Sequence, residues 1–197
     1  MPQIRPLRHE DRDALYAICL KTGDAGQDAT ALYRDPELLG HVYAAPYAAL
    51  EPESGFVVED AQGLGGYIVG ARDTYAFANR MEREWWPQLR MRYPDPAALP
   101  QPDRRVAELI HKPDRMPRSI SEPYPSHLHI NLLPRLQGDG WGRRLIDRWL
   151  AEMRAQGSPG AHLGVGTRNA RAVRFYGAYG FHEIVRAGDV LVLGVKL

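Results

Sequence analysis

Apolar positions along this chain alternate with polar ones, then shift to a three-to-four-residue period, then alternate again, and that change of rhythm marks out its elements. Ile4-Arg5-Pro6-Leu7 alternates as a short strand, and after the polar His9-Glu10-Asp11 the residues Leu15, Ile18, Cys19 and Leu20 recur at helical spacing. Residues 21–30, rich in Gly, Asp and Thr, read as an open loop. A second helical pattern starts near Asp35, has Pro36 in its first turn and runs through Leu38, Leu39, Val42 and Tyr43, with Pro46 expected to end or kink it. Residues 56–59 and 66–70 predict a β-hairpin joined by the glycine-rich connection 60–65. Residues 128–133 predict a strand. Leu145, Ile146, Trp149, Leu150 and Met153 then make one apolar helix face, stopped by Gly157-Ser158-Pro159-Gly160. Residues 161–166 read as a buried strand and Asn169 as the N-cap of a helix that carries Ala172, Val173, Tyr176 and Tyr179 as far as Gly180. A last pair of strands, 181–185 and 190–195, hinges at Gly188-Asp189.

One region breaks the rhythm. Between about 72 and 125 prolines stand at 87, 94, 96, 100, 102, 113, 117, 123 and 125 among mixed charges, which reads as an insertion. Residues 74–92 are helix-compatible up to Trp85-Trp86-Pro87, and 104–111 form a short second helix. The aromatic content argues that this segment packs against something, and the expectation is a lid over a site. Tyr33, Tyr43 and Tyr47 are candidates to line a pocket or to pack in the core with the hydroxyl at water.

Composition narrows the classes. A chain of 197 residues suits one domain spanning 1–197. Lys and Arg total 25 against 24 Asp and Glu, so no overall field recruits nucleic acid or an anionic membrane. The arginines around Trp85-Trp86 are interleaved with glutamates and read as a solvated face rather than a nucleic-acid platform. Cys19, the single cysteine, has no disulfide partner and reads as a buried structural thiol in a cytoplasmic protein. No apolar run reaches the roughly 20 residues of a membrane span, and no Cys/His set has zinc spacing.

The stretch with the most chemistry is Pro134-Arg135-Leu136-Gln137-Gly138-Asp139-Gly140-Trp141-Gly142-Arg143-Arg144, between a strand and a helix. Three glycines at alternate positions allow a tight bend and close approach of a ligand to the backbone. The helix N-terminus that follows offers unpaired N–H groups at the positive end of its dipole, a surface for an anion such as a pyrophosphate. A tight strand-to-helix turn without a ligand is the competing reading. A Walker loop needs Gly-Lys-Ser/Thr where this chain has Gly142-Arg143-Arg144, and a Rossmann fingerprint needs a different glycine spacing near an early strand.

The run Leu132-x-Pro134-x-x-Gln137-Gly138-x-Gly140-x-Gly142 resembles the acetyl-CoA loop of the GNAT superfamily of N-acetyltransferases, whose signature is Arg/Gln-x-x-Gly-x-Gly/Ala. Val165-x-x-x-Asn169-x-x-Ala172-x-x-Phe175-Tyr176-x-x-x-Gly180-Phe181 is similar to that superfamily's other C-terminal motif, at its usual separation. The resemblance implies an α/β GNAT fold: a central mixed, mostly antiparallel sheet flanked by helices, here with a Pro/Trp-rich insertion. Tyr124 to Ile130 and Glu84-Trp85-Trp86-Pro87 are also similar to bacterial acetyltransferases related to the C-terminal acetyltransferase-like domain of O-GlcNAcase. The eukaryotic domain is regarded as a pseudo-acetyltransferase, whereas this chain keeps the glycine loop.

What the resemblance implies for chemistry is specific. Acetyl-CoA is the co-substrate, its pyrophosphate held on backbone amides from Gly138 through Asp139, Gly140, Trp141 and Gly142 to Arg143. A backbone N–H near Leu132 or Leu133 holds the thioester carbonyl. Asn169 and Phe175 flank the pantetheine arm, and Tyr176 protonates the departing thiolate or merely packs beneath the arm. A thioester is already activated, so a primary amine attacks directly; the alternative is a module that holds acetyl-CoA without turnover. The acceptor is a small-molecule or peptide amine, with no metal and no nucleic acid, and the chain is a monomer or homodimer.

The proton acceptor is left open. His127 and His129 have a suitable side chain, but in a regular strand Ser126, Leu128 and Ile130 share the Leu132 face while the histidines lie with Asn131 on the other. Asp73 and Glu84 at the start of the insertion are comparable candidates, and so is a water relay.

Overall fold

A computed structural model describes residues 1–197. Seven strands make one sheet: β1 (Gln3–Pro6), β2 (Phe56–Asp60), β3 (Gly63–Ala71), β4 (Ser126–Leu132), β5 (Gly160–Gly166), β6 (His182–Ala187) and β7 (Val190–Lys196), in the spatial order β1-β2-β3-β4-β5-β7-β6. Every neighbouring pair is antiparallel except β4 with β5. This is the mixed, mostly antiparallel sheet expected from the sequence.

Nine helices cover its two faces. On one lie α1 (Arg12–Leu20), α2 (Leu38–Tyr43), α3 (Ala45–Leu50), α4 (Thr74–Glu84), α5 (Trp86–Arg92) and α6 (Asp103–His111), which with Val57, Tyr67, Val69 and Ala71 enclose a core of 26 buried residues. The short α7 (Arg118–Ser121) leads into β4. On the other face α8 (Trp141–Ala155) and α9 (Ala170–Tyr179) enclose 17 buried residues with Val58, Ile68 and Leu128. The alternation of β3 sends Tyr67 and Val69 to the first core and Ile68 to the second, as the two-residue period of a strand requires.

The amphipathic helix is α8, and its apolar face is almost entirely buried at Leu145, Ile146, Trp149, Leu150 and Met153. Trp149 fills the space over β3 and donates its indole N–H to the Ser54 carbonyl at 2.9 Å. The fit depends on Gly70, because a Cβ there would lie 2.2 Å from the His127 carbonyl oxygen and 2.6 Å from the Trp149 ring.

The helix breaks expected at Pro46 and near Pro87 are present, α2 ending at Tyr43 and α4 at Glu84, and each proline falls in the first turn of the helix that follows, α3 or α5, which has no use for the missing N–H. Two expectations need correction. The glycine-rich stretch 60–65 is not all loop: Gly63 pairs with Asp60, so the turn is Ala61-Gln62, and Leu64 and Gly65 belong to β3, with a bulge beside Val58 and Glu59. The segment 72–125 is a wall more than a lid, since Phe77, Met81, Trp85, Trp86, Leu89 and Ile110 sit in the same core as α1–α3.

Candidate functional site

The sheet opens between its two parallel strands. β4 and β5 pair only at Ser126 with Ala161 and His127 with His162. Beyond that, β4 stays with β3 as far as Leu132, and β5 stays with β7 as far as Val190. The two halves part, leaving a cleft of about 920 Å³. Backbone polar groups on the parting edges lose their sheet partners and are available to a ligand. The Leu133 N–H is spent on the Gly65 carbonyl at 2.8 Å, so the alternation of the strand turns the Leu132 N–H toward the opening. Of the two expected positions, Leu132 lines the cleft and Leu133 packs against the first core.

The glycine loop closes one end. Gly138 and Gly140 adopt left-handed backbone (φ 96° and 80°), which a side chain would oppose. Gly140 is the N-cap of the 15-residue α8 and brings no side-chain cap, so the first-turn N–H groups of that helix are left for another acceptor. Gly142 serves a different purpose: a Cβ there would lie 3.2 Å from the Phe175 ring and 3.4 Å from Leu132. Gln137 ties the loop down, donating to the Leu132 carbonyl at 2.7 Å and accepting from Arg171. Gln137, Gly138, Gly140, Gly142, Arg143, Asn169, Phe175 and Tyr176 all line the cleft. Asp139 and Trp141 do not; Asp139 is exposed, and Trp141 lies under the Arg144 guanidinium at 4.5 Å.

On α9, Asn169 accepts from the Ala172 N–H at 3.1 Å, as an N-cap does. Tyr176 is buried between Phe175 and Phe181, with ring centroids 5.4 and 5.6 Å away, and burial alone raises its hydroxyl well above the ordinary range. It therefore stays protonated at neutral pH.

The histidines share a face with Asn131, as the strand parity predicts, but the inference that this face lies away from the site is wrong for His129. The cleft runs past the edge of β4, so His129 and Asn131 line it together with Leu128, Ile130 and Leu132. His127 is one step deeper and does not reach it. A chain of bonds joins the two. The Thr74 hydroxyl donates to the Pro125 carbonyl at 2.7 Å, so it must accept from His127 Nδ1 at 2.7 Å. His127 Nε2 then accepts from the Tyr47 hydroxyl at 2.8 Å, and that oxygen accepts from His129 Nε2 at 3.1 Å. These bonds assign the proton of neutral His129 to Nε2 and leave the Nδ1 lone pair without a protein donor. Burial, together with the nearby His162, lowers His129 to about 4, and burial also holds His127 well below its ordinary range, so both rings are neutral at physiological pH.

Asp73 is elsewhere. Its carboxylate caps α4, accepting from the Tyr75 and Ala76 N–H groups at 2.9 Å, and it faces a separate shallow pocket with Tyr75 and Arg118. Glu84 pairs with Arg80 at 2.9 Å on the surface. Neither reaches the cleft. Cys19 is buried, lines the cleft beside Thr22 and is pushed up to about 11 by burial, which keeps it a thiol.

The sequence did not single out Thr22, Asn131, Arg105 or Thr74. Thr22 holds the Asn131 side chain at 2.6 Å, and Arg105 on α6 lines the far end of the cleft with Pro102, Val106 and Leu109. Of the three tyrosines, Tyr33 and Tyr43 line the cleft, while Tyr47 links the histidines. No helix is long and apolar enough to cross a membrane.

Comparison with known proteins gives a consistent picture. The crystal structure of SsHAT is 40% identical, with a TM-score of 0.92 over 99% of this chain and 98% of that one. The structure of PaiA N-acetyltransferase from Thermoplasma acidophilum in complex with coenzyme A shares the fold at 14% identity, with a TM-score of 0.62 over 100% of this chain and 99% of that one. Protein O-GlcNAcase from Rattus norvegicus is 24% identical over 98% of this chain, which spans only 22% of that protein's length. The sequence matches the acetyltransferase (GNAT) family over residues 5–181, and with the parted β4–β5 pair and the uncapped glycine loop at α8 the chain belongs to that family.

Proposed function

We propose that this protein moves acetyl from acetyl-CoA to a primary amine by direct attack, with His129 taking the amine proton and Tyr176 returning one to the thiolate. One observation carries the reading. The parting of β4 and β5 gathers on a single cleft an uncapped helix N-terminus, the edge of β4 at Leu132, a protonated tyrosine and a neutral histidine with a lone pair to spare.

Each group answers one demand of the reaction. The first-turn N–H groups of α8, with Arg143 beside them, suit the pyrophosphate. The Leu132 N–H is a fixed donor for the thioester oxygen as negative charge develops on it. The nitrogen forms its bond to the carbonyl carbon, the C–S bond breaks with its electron pair going to sulfur, the nitrogen's surplus proton passes to His129 Nδ1, and the Tyr176 hydroxyl protonates the sulfur. Burial disfavours the thiolate just as it disfavours tyrosinate, so the transfer from Tyr176 remains close in energy despite the raised hydroxyl.

His129 is too weak a base at about 4 to take a proton from a free alkylammonium ion near 10.4. Its part begins after the amine enters neutral, because bond formation to carbon makes the nitrogen's proton far more acidic. Tyr176→Phe tests the acid: amine-dependent thiol release falls by about 10²-fold while calorimetric affinity for acetyl-CoA changes little. Equal turnover in that variant removes Tyr176 from the mechanism.

A further inference from the structure

The acceptor end of the cleft holds one unpartnered arginine. Arg105 is exposed on α6, lines the cleft, and its guanidinium makes no hydrogen bond or ion pair with the protein. The other cleft arginines are engaged or belong to the opposite end. Arg168 faces Asp24 at 3.7 Å, Arg171 donates to Gln137, and Arg143 lies over the Tyr179 ring at the glycine loop. Of the nearby carboxylates, Asp24 faces Arg168, and Asp103 accepts from the Arg34 and Asp35 N–H groups at 3.2 and 3.0 Å; Asp114 acts on Tyr43 from the exposed surface, and Asp189 lines the cleft at the β6–β7 turn.

Between Arg105 and β4 stand aromatic walls. The Tyr43 ring is 5.8 Å from the His129 ring, and Tyr33 lines the same end. The Arg105 charge is near enough to both tyrosines to favour their ionised forms, although burial outweighs it and pushes Tyr43 up to about 12. The path from Arg105 past Tyr33 and Tyr43 to His129 is therefore cationic at the mouth, aromatic along its length and neutral at its base.

We propose that the acceptor is a primary amine carrying an acid group in the same small molecule, with the acid held by Arg105 and the amine presented at His129. The inference rests on the acetyl-transfer reading of this cleft. A planar guanidinium fork matches a carboxylate in two parallel hydrogen bonds, and a charge at the mouth of a cleft with apolar walls acts more strongly than one on open surface. A polycationic acceptor meets the opposite situation: its second charge faces the Arg105 guanidinium.

Matched acceptors test this. Thiol release from acetyl-CoA is followed with 4-(2-aminoethyl)benzoic acid, whose acid and amine lie at opposite ends of one ring, an aspartyl dipeptide, phenethylamine and 1,4-diaminobutane, on wild type, Arg105→Gln and Arg105→Glu. The free amino acid and the peptide separate two sources of the same amine-plus-acid chemistry. Expected is a preference for an acid-bearing amine over phenethylamine that falls roughly tenfold in Arg105→Gln and inverts toward the diamine in Arg105→Glu. Equal kcat/KM ratios in wild type and Arg105→Gln overturn the assignment. The same amines are titrated by calorimetry onto CoA-loaded protein, which separates the inference from the reaction beneath it. If no amine releases thiol, transfer is refuted, and Arg105-dependent binding of 4-(2-aminoethyl)benzoic acid or the dipeptide still upholds the acid site; binding that ignores Arg105 refutes it.

Discussion

Lowering the pH from 7 to 5 weakens this fold chiefly through its buried histidines. The His127 ring stands 6.2 Å from that of His129 and 5.7 Å from that of His162, and each of the three is displaced downward by burial in the protein interior. A histidine lowered by folding is neutral in the native state and binds a proton more readily when unfolded, so stability is lost as pH falls through the unfolded value toward the folded one. For His129, lowered from 6.5 to about 4, the loss between pH 7 and pH 5 is about 2 kcal/mol. His127, His162 and the similarly lowered His41 add to it. Glu51 opposes it, since burial raises its carboxyl and protonation then relieves the native state. With a urea m-value of about 2 kcal/mol/M, the unfolding midpoint falls by about 1 M or more over this range. His129→Asn keeps a hydrogen-bond donor but cannot titrate, and its midpoint falls by less. A wild-type midpoint that is flat from pH 7 to pH 5, or an unchanged slope in His129→Asn, refutes the placement of these rings in a desolvated cluster.

Other substitutions separate the parts of the site. His129→Ala lowers kcat by about 10²-fold or more with acetyl-CoA affinity retained, read by steady-state thiol release and calorimetry. Tyr47→Phe breaks the link between the two histidines, and the His127 nitrogen it strands costs about 1–3 kcal/mol in urea unfolding, alongside a smaller loss of kcat. Gly142→Ala forces the Phe175 ring aside by a few tenths of an ångström; a strain of about 1 kcal/mol corresponds to a roughly fivefold weaker affinity for acetyl-CoA in calorimetry. Gly70→Ala meets backbone and the Trp149 ring, neither of which can yield, and costs about 3 kcal/mol, a fall in Tm of about 6–12 °C by calorimetric scan.

Sequence pattern carried the architecture furthest where period and capping agreed. The apolar face of α8, the Asn169 cap and the Gly180 stop of α9 were all visible because each is a local requirement of a helix. Pro46 and Pro87 marked the helix breaks but not the helices that restart at them, since a proline that ends one helix and one that opens the next look alike in the chain. At the site, the parity of β4 was legible, but the direction of the cleft was not. That direction follows from where β4 leaves β5, which is set by strands far apart in sequence. The Thr74–His127–Tyr47–His129 chain spans separations of 53 to 82 residues, and the place of Arg105 depends on how α6 packs, so no local spacing could have announced either.

The central claim is that the cleft passes acetyl straight from thioester to amine. Free thiol, followed with time in wild-type protein and acetyl-CoA with and without a primary amine, tests it most directly when the intact mass of the protein is read from the same samples. Direct attack predicts thiol that appears only with the amine, in equal amount to acetylated amine, while the protein stays unmodified. A stoichiometric burst of thiol without amine, matched by acetylation of the protein, would contradict it.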